Sequence, residues 1–341
     1  GAAVLAGEGA ASDAHHLTQP EPNGAGAARA LTRAMGNATP DVVFTHATAT
    51  PANDAAEYEA LAATLGEALA STPVTALKSR IGHTLGAAGA IETVVAIAAM
   101  EAGVLPPTAN ATCDKEAFES LDLVVEPRKV AIERAAIVSL GFGGADAAIQ
   151  LSTADANAFS TPNESVEIVV SGFGVLLPEV GEATVSDAKF EPLGEDRAVR
   201  RIARMSRLVR GASTLAARSA KLSGADLAAT MGIAASRFGA VVYTLDYYEE
   251  IVRDGHGAGN PLLFAESVPN IGSAHLSLGL GLNEATFSIG GTRTAGIEAI
   301  DLARQHLEAG LVQRVLVVAA EETDPRLTAI LRRLGFTESG E

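Results

Sequence analysis

The chain has 341 residues, enough for about two domains with a sizeable core, which excludes a disulfide-stapled miniature. Its one cysteine, Cys113, rules out an intrachain disulfide framework and a cysteine-based metal cluster, and its net charge of −16 excludes nucleic acid, because phosphate binding needs clustered positive charge. With 48% hydrophobic and 19% charged residues the composition is globular; no apolar run reaches the roughly 20 residues of a membrane span, and Gly1 opens no targeting segment, so a cytoplasmic protein is expected.

In chain order, Val42, Val43 and Phe44 form a short strand that ends at Thr45 and His46. Asp54 to Ala70 reads as a helix, with Tyr58, Leu61, Leu65 and Leu69 at helical spacing. Val74 to Leu77 is a second strand, and Gly86 to Ala102 is an Ala-rich helix suited to burial. Ala135 to Leu140 is a third strand, running into the glycine loop Gly141 to Gly144. Ser152 to Ser165, with small polar residues and Pro162, reads as a linker. Beyond it, Val166 to Val170 is a strand followed by Gly172 and Gly174, and Ala198 to Leu222 carries a long helical pattern. Phe238 to Tyr243 reads as a strand, Thr294 to Ala309 as a helix and Val315 to Ala319 as a strand. Strands alternating with helices on both sides of a linker make two α/β units.

Open α/β sheets place their sites at strand ends. Three polar segments fall there: Thr45 to Thr48, Lys78 to His83, and Gly141 to Gly144. If His46 and His83 converge, two neutral imidazole N–H groups could polarise one carbonyl oxygen and stabilise the negative charge that develops on it. Lys78 could hold a carboxylate or tune a histidine, and Gly143 and Gly144 let a backbone lie close to a bound acyl chain. The structural alternative is a histidine satisfied by a backbone carbonyl. Metal binding has little support: His15 and His16 beside Asp13 point in different directions, and no HExxH spacing exists. The glycine loop lacks the Walker and GxGxxG fingerprints, so no nucleotide cofactor is expected.

The segment His46-Ala47-Thr48-Ala49-Thr50 with Asp54 and Glu57, then KSRIGHT from Lys78 to Thr84, then SLGFGG from Ser139 to Gly144, resembles the C-terminal half of a beta-ketoacyl-acyl-carrier-protein synthase. Ser12-Asp13-Ala14-His15-His16 fits the same half. The resemblance implies a thiolase-like fold of layered α/β/α/β/α halves and condensation of a carrier-bound acyl group with malonyl-carrier protein. It implies that His46 and His83 are the catalytic pair and Lys78 their supporting lysine. Phe142 would gate the acyl pocket, with Gly143, Gly144, Thr48 and Thr50 as substrate contacts. Asp54 and Glu57 would stand behind the histidines, with Glu57 a candidate partner for Lys78. Ala47 departs from the family's usual glycine. No cofactor is implied beyond the phosphopantetheine arm of the acyl carrier protein.

The second part resembles the N-terminal half of the same family, through IVVSGFGVLLP from Ile168 to Pro178, Val268-Pro269-Asn270, and the helix and strand from Thr294 to Ala320. There the family places a nucleophilic cysteine at a helix start, where the N-terminus stabilises the thiolate. Here Gly291-Thr292-Arg293-Thr294-Ala295-Gly296 puts Arg293 at that position. A guanidinium stays protonated and cannot accept an acyl group. Cys113, in a polar loop, is no substitute. The expected organisation is a C-terminal-type half over residues 1–152, a linker over 153–165, and a catalytically silent N-terminal-type half over 166–341. That order is the reverse of a whole synthase and fits the junction of two units in tandem; circular permutation is the alternative. The expected partners are acyl carrier protein and a complementary ketosynthase half or subunit, in a dimer. The competing functions are a chain-length-factor-like scaffold without catalysis and, more weakly, a hydrolase or metal-dependent enzyme. Arg200, Arg201, Arg204, Arg207 and Arg210 are either a docking patch for an acidic carrier or a solvated helix face.

Overall fold

A computed structural model of the chain describes residues 3–111, 118, 120–153, 167–180, 182, 184–190 and 202–334. The chain divides into two compact units, Gly1–Thr161 with Asn283–Ala285, and Pro162–Leu282 with Thr286–Glu341. The linker residues 154–165 and Cys113 lie outside the described residues.

The first unit carries β1 (Val4–Ser12), α1 (Ala25–Met35), β2 (Val42–Phe44), α2 (Pro51–Leu65), β3 (Val74–Thr75), α3 (Lys78–Ile81), α4 (Ala88–Ala102), β4 (Val104–Leu105), β5 (Arg128–Lys129), β6 (Arg134–Gly141) and β7 (Ala145–Ser152). Five strands form one sheet in the order β1-β7-β6-β2-β3. Pairing is antiparallel from β1 through β7 to β6 and parallel from β6 through β2 to β3. Successive strand residues face opposite sides, and the cores follow that alternation. Val43, Ala136 and Val138 pack with Leu31 of α1 and Leu61 and Leu65 of α2. Val42, Phe44, Ala135 and Ile137 pack on the other face with Ala96, Ala99 and Met100 of α4. Helices on both faces make a layered α/β unit.

Strand β1 has no apolar alternation to announce it. Its glycines let α1 lie against it: a Cβ on Gly7 would fall 2.0 Å from Ala34 O, and one on Gly9 the same distance from Ala30 O. The helix expected from Asp54 begins earlier, at Pro51, because proline suits the first helical turn, and continues past Leu65 as a 3-10 segment to Ser71. The strand expected over Val74 to Leu77 ends at Thr75, and the chain then turns into α3. Leu85–Ala102 is a correction: its 18 residues have a mean hydropathy of 1.5, long and apolar enough to cross a membrane by length and composition. One face of this segment is built into the core, and its buried Glu92 is paired with Lys78.

The second unit carries α5 (Arg204–Ser219), α6 (Gly224–Ala228), β8 (Met231–Ser236), α7 (Val241–Asp254), α8 (Pro261–Ser267), α9 (Ile271–Leu280), β9 (Thr286–Gly290), α10 (Ala295–Glu308), β10 (Val315–Ala319) and α11 (Pro325–Arg333). Its sheet has the order β10-β8-β9, all parallel, with β8 buried in the middle.

Two strand expectations fail here. Phe238 to Tyr243 is a turn entering α7, and the strand is the Gly- and Ala-containing Met231–Ser236 just before it. Carboxylates explain the turn: Glu321 accepts the N–H groups of Arg237 and Phe238, and Glu322 accepts that of Val242 at 2.9 Å, where a helix start favours negative charge. Val166 lies outside the described residues, and residues 167–170 form no strand. This segment is followed by close packing on α5, where a Cβ on Gly174 would meet Ala212 O at 2.4 Å. The long helical pattern from Ala198 is helical from Arg204 to Ser219.

Candidate active site

Strands β2 and β3 are parallel neighbours, so their C-terminal ends emerge at one sheet edge. His46 follows β2 directly, and Lys78, at the start of α3, follows β3. Gly82, with φ +75°, ends α3 and turns the chain to His83. This topology brings the two imidazoles together, with ring centroids 5.2 Å apart and planes at 84°. His46 is buried and His83 is exposed.

The His46 turn is held from behind by Glu57 of α2. Its Oε1 accepts the His46 N–H at 2.6 Å and its Oε2 the Ala47 N–H at 2.8 Å. Asn53 Nδ2 adds a longer contact of 3.4 Å. Ala47 has φ +29° and Ala49 φ +59°, so the turn runs through the left-handed region without glycine. That costs about 1–2 kcal/mol per residue, and the bidentate carboxylate offsets part of it. Burial raises the Glu57 pKa to about 7, against the lowering effects of these hydrogen bonds and of Lys78; Asp54 raises it further. Asp54 itself accepts from Asn53 Nδ2 at 3.4 Å.

The expected Glu57–Lys78 pair does not form. Lys78 Nζ binds Glu92 Oε1 at 2.6 Å, with both side chains almost fully buried. Glu92 is the residue missed from sequence, although its charge in the middle of an Ala-rich helix was the available signal. A buried charge needs a partner, and α4 aims Glu92 at the start of α3. Burial raises the Glu92 pKa while Lys78 holds it down.

Both histidines are kept neutral. Burial, then the charge of Lys78, then His83 depress the His46 pKa to about 3. Burial and Lys78 also lower that of His83. His83 Nδ1 accepts the Leu85 N–H at 3.2 Å, so the neutral ring carries its proton on Nε2. His46 Nδ1 is buried, and among the described residues the ring has no hydrogen-bond partner, which favours the proton on its other nitrogen. The arrangement sets two neutral imidazoles side by side, each with one N–H to donate.

Strand β6 is parallel to β2, so the glycine turn after it lies at the same sheet edge. Gly143 and Gly144 have φ +77° and +71°, and Phe142 between the strands is 40% exposed. Thr48 and Thr50 share a hydroxyl hydrogen bond of 3.0 Å near the His46 turn. His15 is exposed, and His16 Nδ1 accepts the N–H groups of Thr18 and Gln19 at 3.1 Å each.

In the second unit, Arg293 is exposed in the turn before α10. Thr292 and Thr294 donate their hydroxyls to Glu298 Oε1, at 2.8 and 2.6 Å, across the first turn of that helix. Two arginines of the cluster are engaged within the unit. Arg207 is buried against Asp187, at 3.0 Å, and lies 4.4 Å above the Phe190 ring, while Arg204 donates to Val185 O. Arg200 and Arg201 lie outside the described residues.

Comparison with known proteins gives the same two-part order. The beta-ketoacyl synthase C-terminal domain model matches residues 2–112, and the beta-ketoacyl synthase N-terminal domain model matches residues 165–340. The 3-oxoacyl-[acyl-carrier-protein] synthase 2 of Vibrio harveyi is 37% identical over 154 residues, covering 43% of this chain and 37% of its own length. The mitochondrial 3-oxoacyl-[acyl-carrier-protein] synthase of Arabidopsis thaliana is 37% identical over 155 residues, covering 43% of this chain and 34% of its own. The matches thus span little more than a third of these relatives. A solved structure described as the PfaC keto synthase–chain length factor aligns with a TM-score of 0.68 over 93% of this chain and 43% of that one; at 15% identity it shows a shared fold.

Proposed function

The chain belongs to the beta-ketoacyl synthase family, and from that premise we propose that it is part of a condensing enzyme of fatty-acid or polyketide synthesis, supplying the two histidines of the decarboxylation and condensation site. The observation that carries this is the pair of neutral imidazoles, His46 and His83, 5.2 Å apart at one sheet edge. In the proposed reaction the malonyl thioester oxygen sits between the two N–H groups. The bond to the carboxylate breaks, CO2 leaves with its carbon, and the electron pair stays as an enolate stabilised by both donors. The enolate carbon then forms a bond to an acyl thioester carbon, and the cysteine thiolate that held the acyl group departs. Lys78, anchored by Glu92, keeps both rings neutral, and Glu57 fixes the His46 turn.

Arg293 stands where that thiolate is expected, so the cysteine must come from another polypeptide or from flanking sequence. The two family matches in reversed order support a chain that joins the end of one synthase unit to the start of a second, silent one. Acyl carrier protein, a complementary ketosynthase and a cytoplasmic setting belong to the same proposal. Arg293 also favours a second function, a chain-length-factor-like scaffold that shapes the site without reacting.

Denaturing mass spectrometry of the native-sized particle, with and without a thiol-alkylating condensation inhibitor, separates the two. A cysteine alkylated in an Ala-Cys-small-Ser-Gly context, together with product formation lost in His46→Ala, is expected for the condensing enzyme. A particle with at most Cys113 modified, and no effect of His46→Ala, supports the scaffold.

A further inference from the structure

Beside the glycine turn lies a polar cluster that the proposed reaction does not use. At the end of β1, Ala11 and Ser12 pair with Asp146 and Ala145 of β7. The next residue, Asp13, donates its N–H to Gly144 O at 2.8 Å, and Gly143 donates its N–H to Leu17 O at 2.6 Å. The segment after β1 and the glycine turn are therefore tied by backbone. A Cβ on Gly144 would fall 2.4 Å from Asp13 Cβ, so only glycine permits the approach.

The side chains add a second link. Asp13 Oδ2 accepts the Glu21 N–H at 3.0 Å. The remaining oxygen, Asp13 Oδ1, and Asp146 Oδ2 are buried and have no donor among the described residues. Both crowd one point of α1, since a Cβ on Gly26 would lie 2.2 Å from each. Two carboxylate oxygens are acceptors only, and two close negative charges in a buried place repel. One proton between them removes the repulsion and supplies the missing donor.

Burial first, then the charge and hydrogen bond of Asp13, push the Asp146 carboxyl well above the usual carboxylate range. Two other charged groups face it. Arg29 of α1 favours ionisation: its Nη2 donates to Ser12 O at 2.8 Å, and its buried Nε has no acceptor among the described residues, so the guanidinium faces the pair by charge and not by a hydrogen bond; Glu57 of α2 opposes ionisation.

We propose that Asp13 and Asp146 share one proton and form a latch between the Asp13–Thr18 segment and the glycine turn, released when rising pH removes that proton. Because Phe142 sits in the turn, the latch couples pH to the edge of the candidate site. This device is independent of whether the chain condenses acyl groups.

The test uses the full 341-residue chain. Asp146→Asn keeps a donor toward Asp13 but has no proton to lose. Folding of the wild type takes up one proton more than folding of the variant, between the ordinary carboxylate range and the raised Asp146 value. Over that window the wild-type folding equilibrium falls, relative to the variant, by about tenfold per pH unit. After correction for intrinsic rates, exchange of the Asp13 and Gly143 amides accelerates with pH in the wild type and stays flat in Asp146→Asn. Identical pH dependence in the two proteins overturns the latch. Should the variant fail to fold, infrared spectra of the wild type labelled with 13C at its aspartate carboxyls decide. A protonated aspartate band that persists above the ordinary carboxylate range and vanishes as amide exchange accelerates is expected, and its loss within the ordinary carboxylate range overturns the proposal.

Discussion

Two buried histidines, one in each unit, show how differently the same side chain is used. His275 of α9 places Nε2 2.9 Å from Glu266 Oε1, and the same carboxylate takes the Ala203 N–H and the Ser206 hydroxyl at 3.1 Å each. It is one member of a polar network that joins α8, α9 and the start of α5. His46 has no side-chain hydrogen bond among the described residues, and its neighbours are a second imidazole and a lysine that keep it uncharged. A buried polar group without a structural partner costs free energy. His275 Nδ1, like His46 Nδ1, is buried without a hydrogen-bond partner among the described residues, so the two rings differ at Nε2, which Glu266 holds in His275 and no described residue holds in His46.

Lys78 gives the largest expected effect. Lys78→Met leaves Glu92 buried and unpaired, and unfolding in denaturant should show a loss of about 3–5 kcal/mol. The same variant should raise the His46 pKa, since Lys78 no longer opposes protonation. His46→Ala is the opposite case. It removes no hydrogen bond of the ring, so stability should change by about 1 kcal/mol, while the proposed condensation should slow by about 10²–10³-fold. In the second unit, His275→Ala should destabilise by about 2–3 kcal/mol without touching chemistry, measured by the same denaturant curves. A larger activity loss from His275→Ala than from His46→Ala would break the comparison.

Smaller effects sharpen it. The Glu57 pKa is raised to about 7, so the folded state holds a proton that the unfolded chain releases near 4.5. Its contribution to stability is complete below that range and is lost as pH rises toward 7, by up to about 1.4 kcal/mol per pH unit. Glu57→Gln should flatten this slope in pH-dependent melting. Ala47→Gly, at φ +29°, should stabilise by about 0.5–1 kcal/mol through relief of backbone strain.

Much of the first unit was legible in its sequence because the signals were local. Val42, Val43 and Phe44 alternate between two cores, and His46 and the Lys78 turn follow parallel strands, so their meeting at one edge follows from topology. Partner choice was less legible. Glu57 and Glu92 both lie within reach of the site by helix placement, and only the packing of α4 decides that Lys78 meets Glu92. Glycine-rich β1 and the Gly- and Ala-containing β8 were missed because their side chains carry little strand signal, and tertiary packing sets their conformation. Phe238 to Tyr243 misled because a short run with two valines between aromatic residues suits a strand as well as the start of a helix.

The central claim is that His46 and His83 are two neutral N–H donors. Nitrogen-15 NMR of the imidazoles across a pH titration tests it on the chain itself. The account predicts that His83 is neutral at pH 7 with its proton on Nε2, and that His46 takes up a proton only near pH 3. A His46 ring that titrates near its ordinary value of 6.5, or a His83 ring protonated on Nδ1 when neutral, would contradict it.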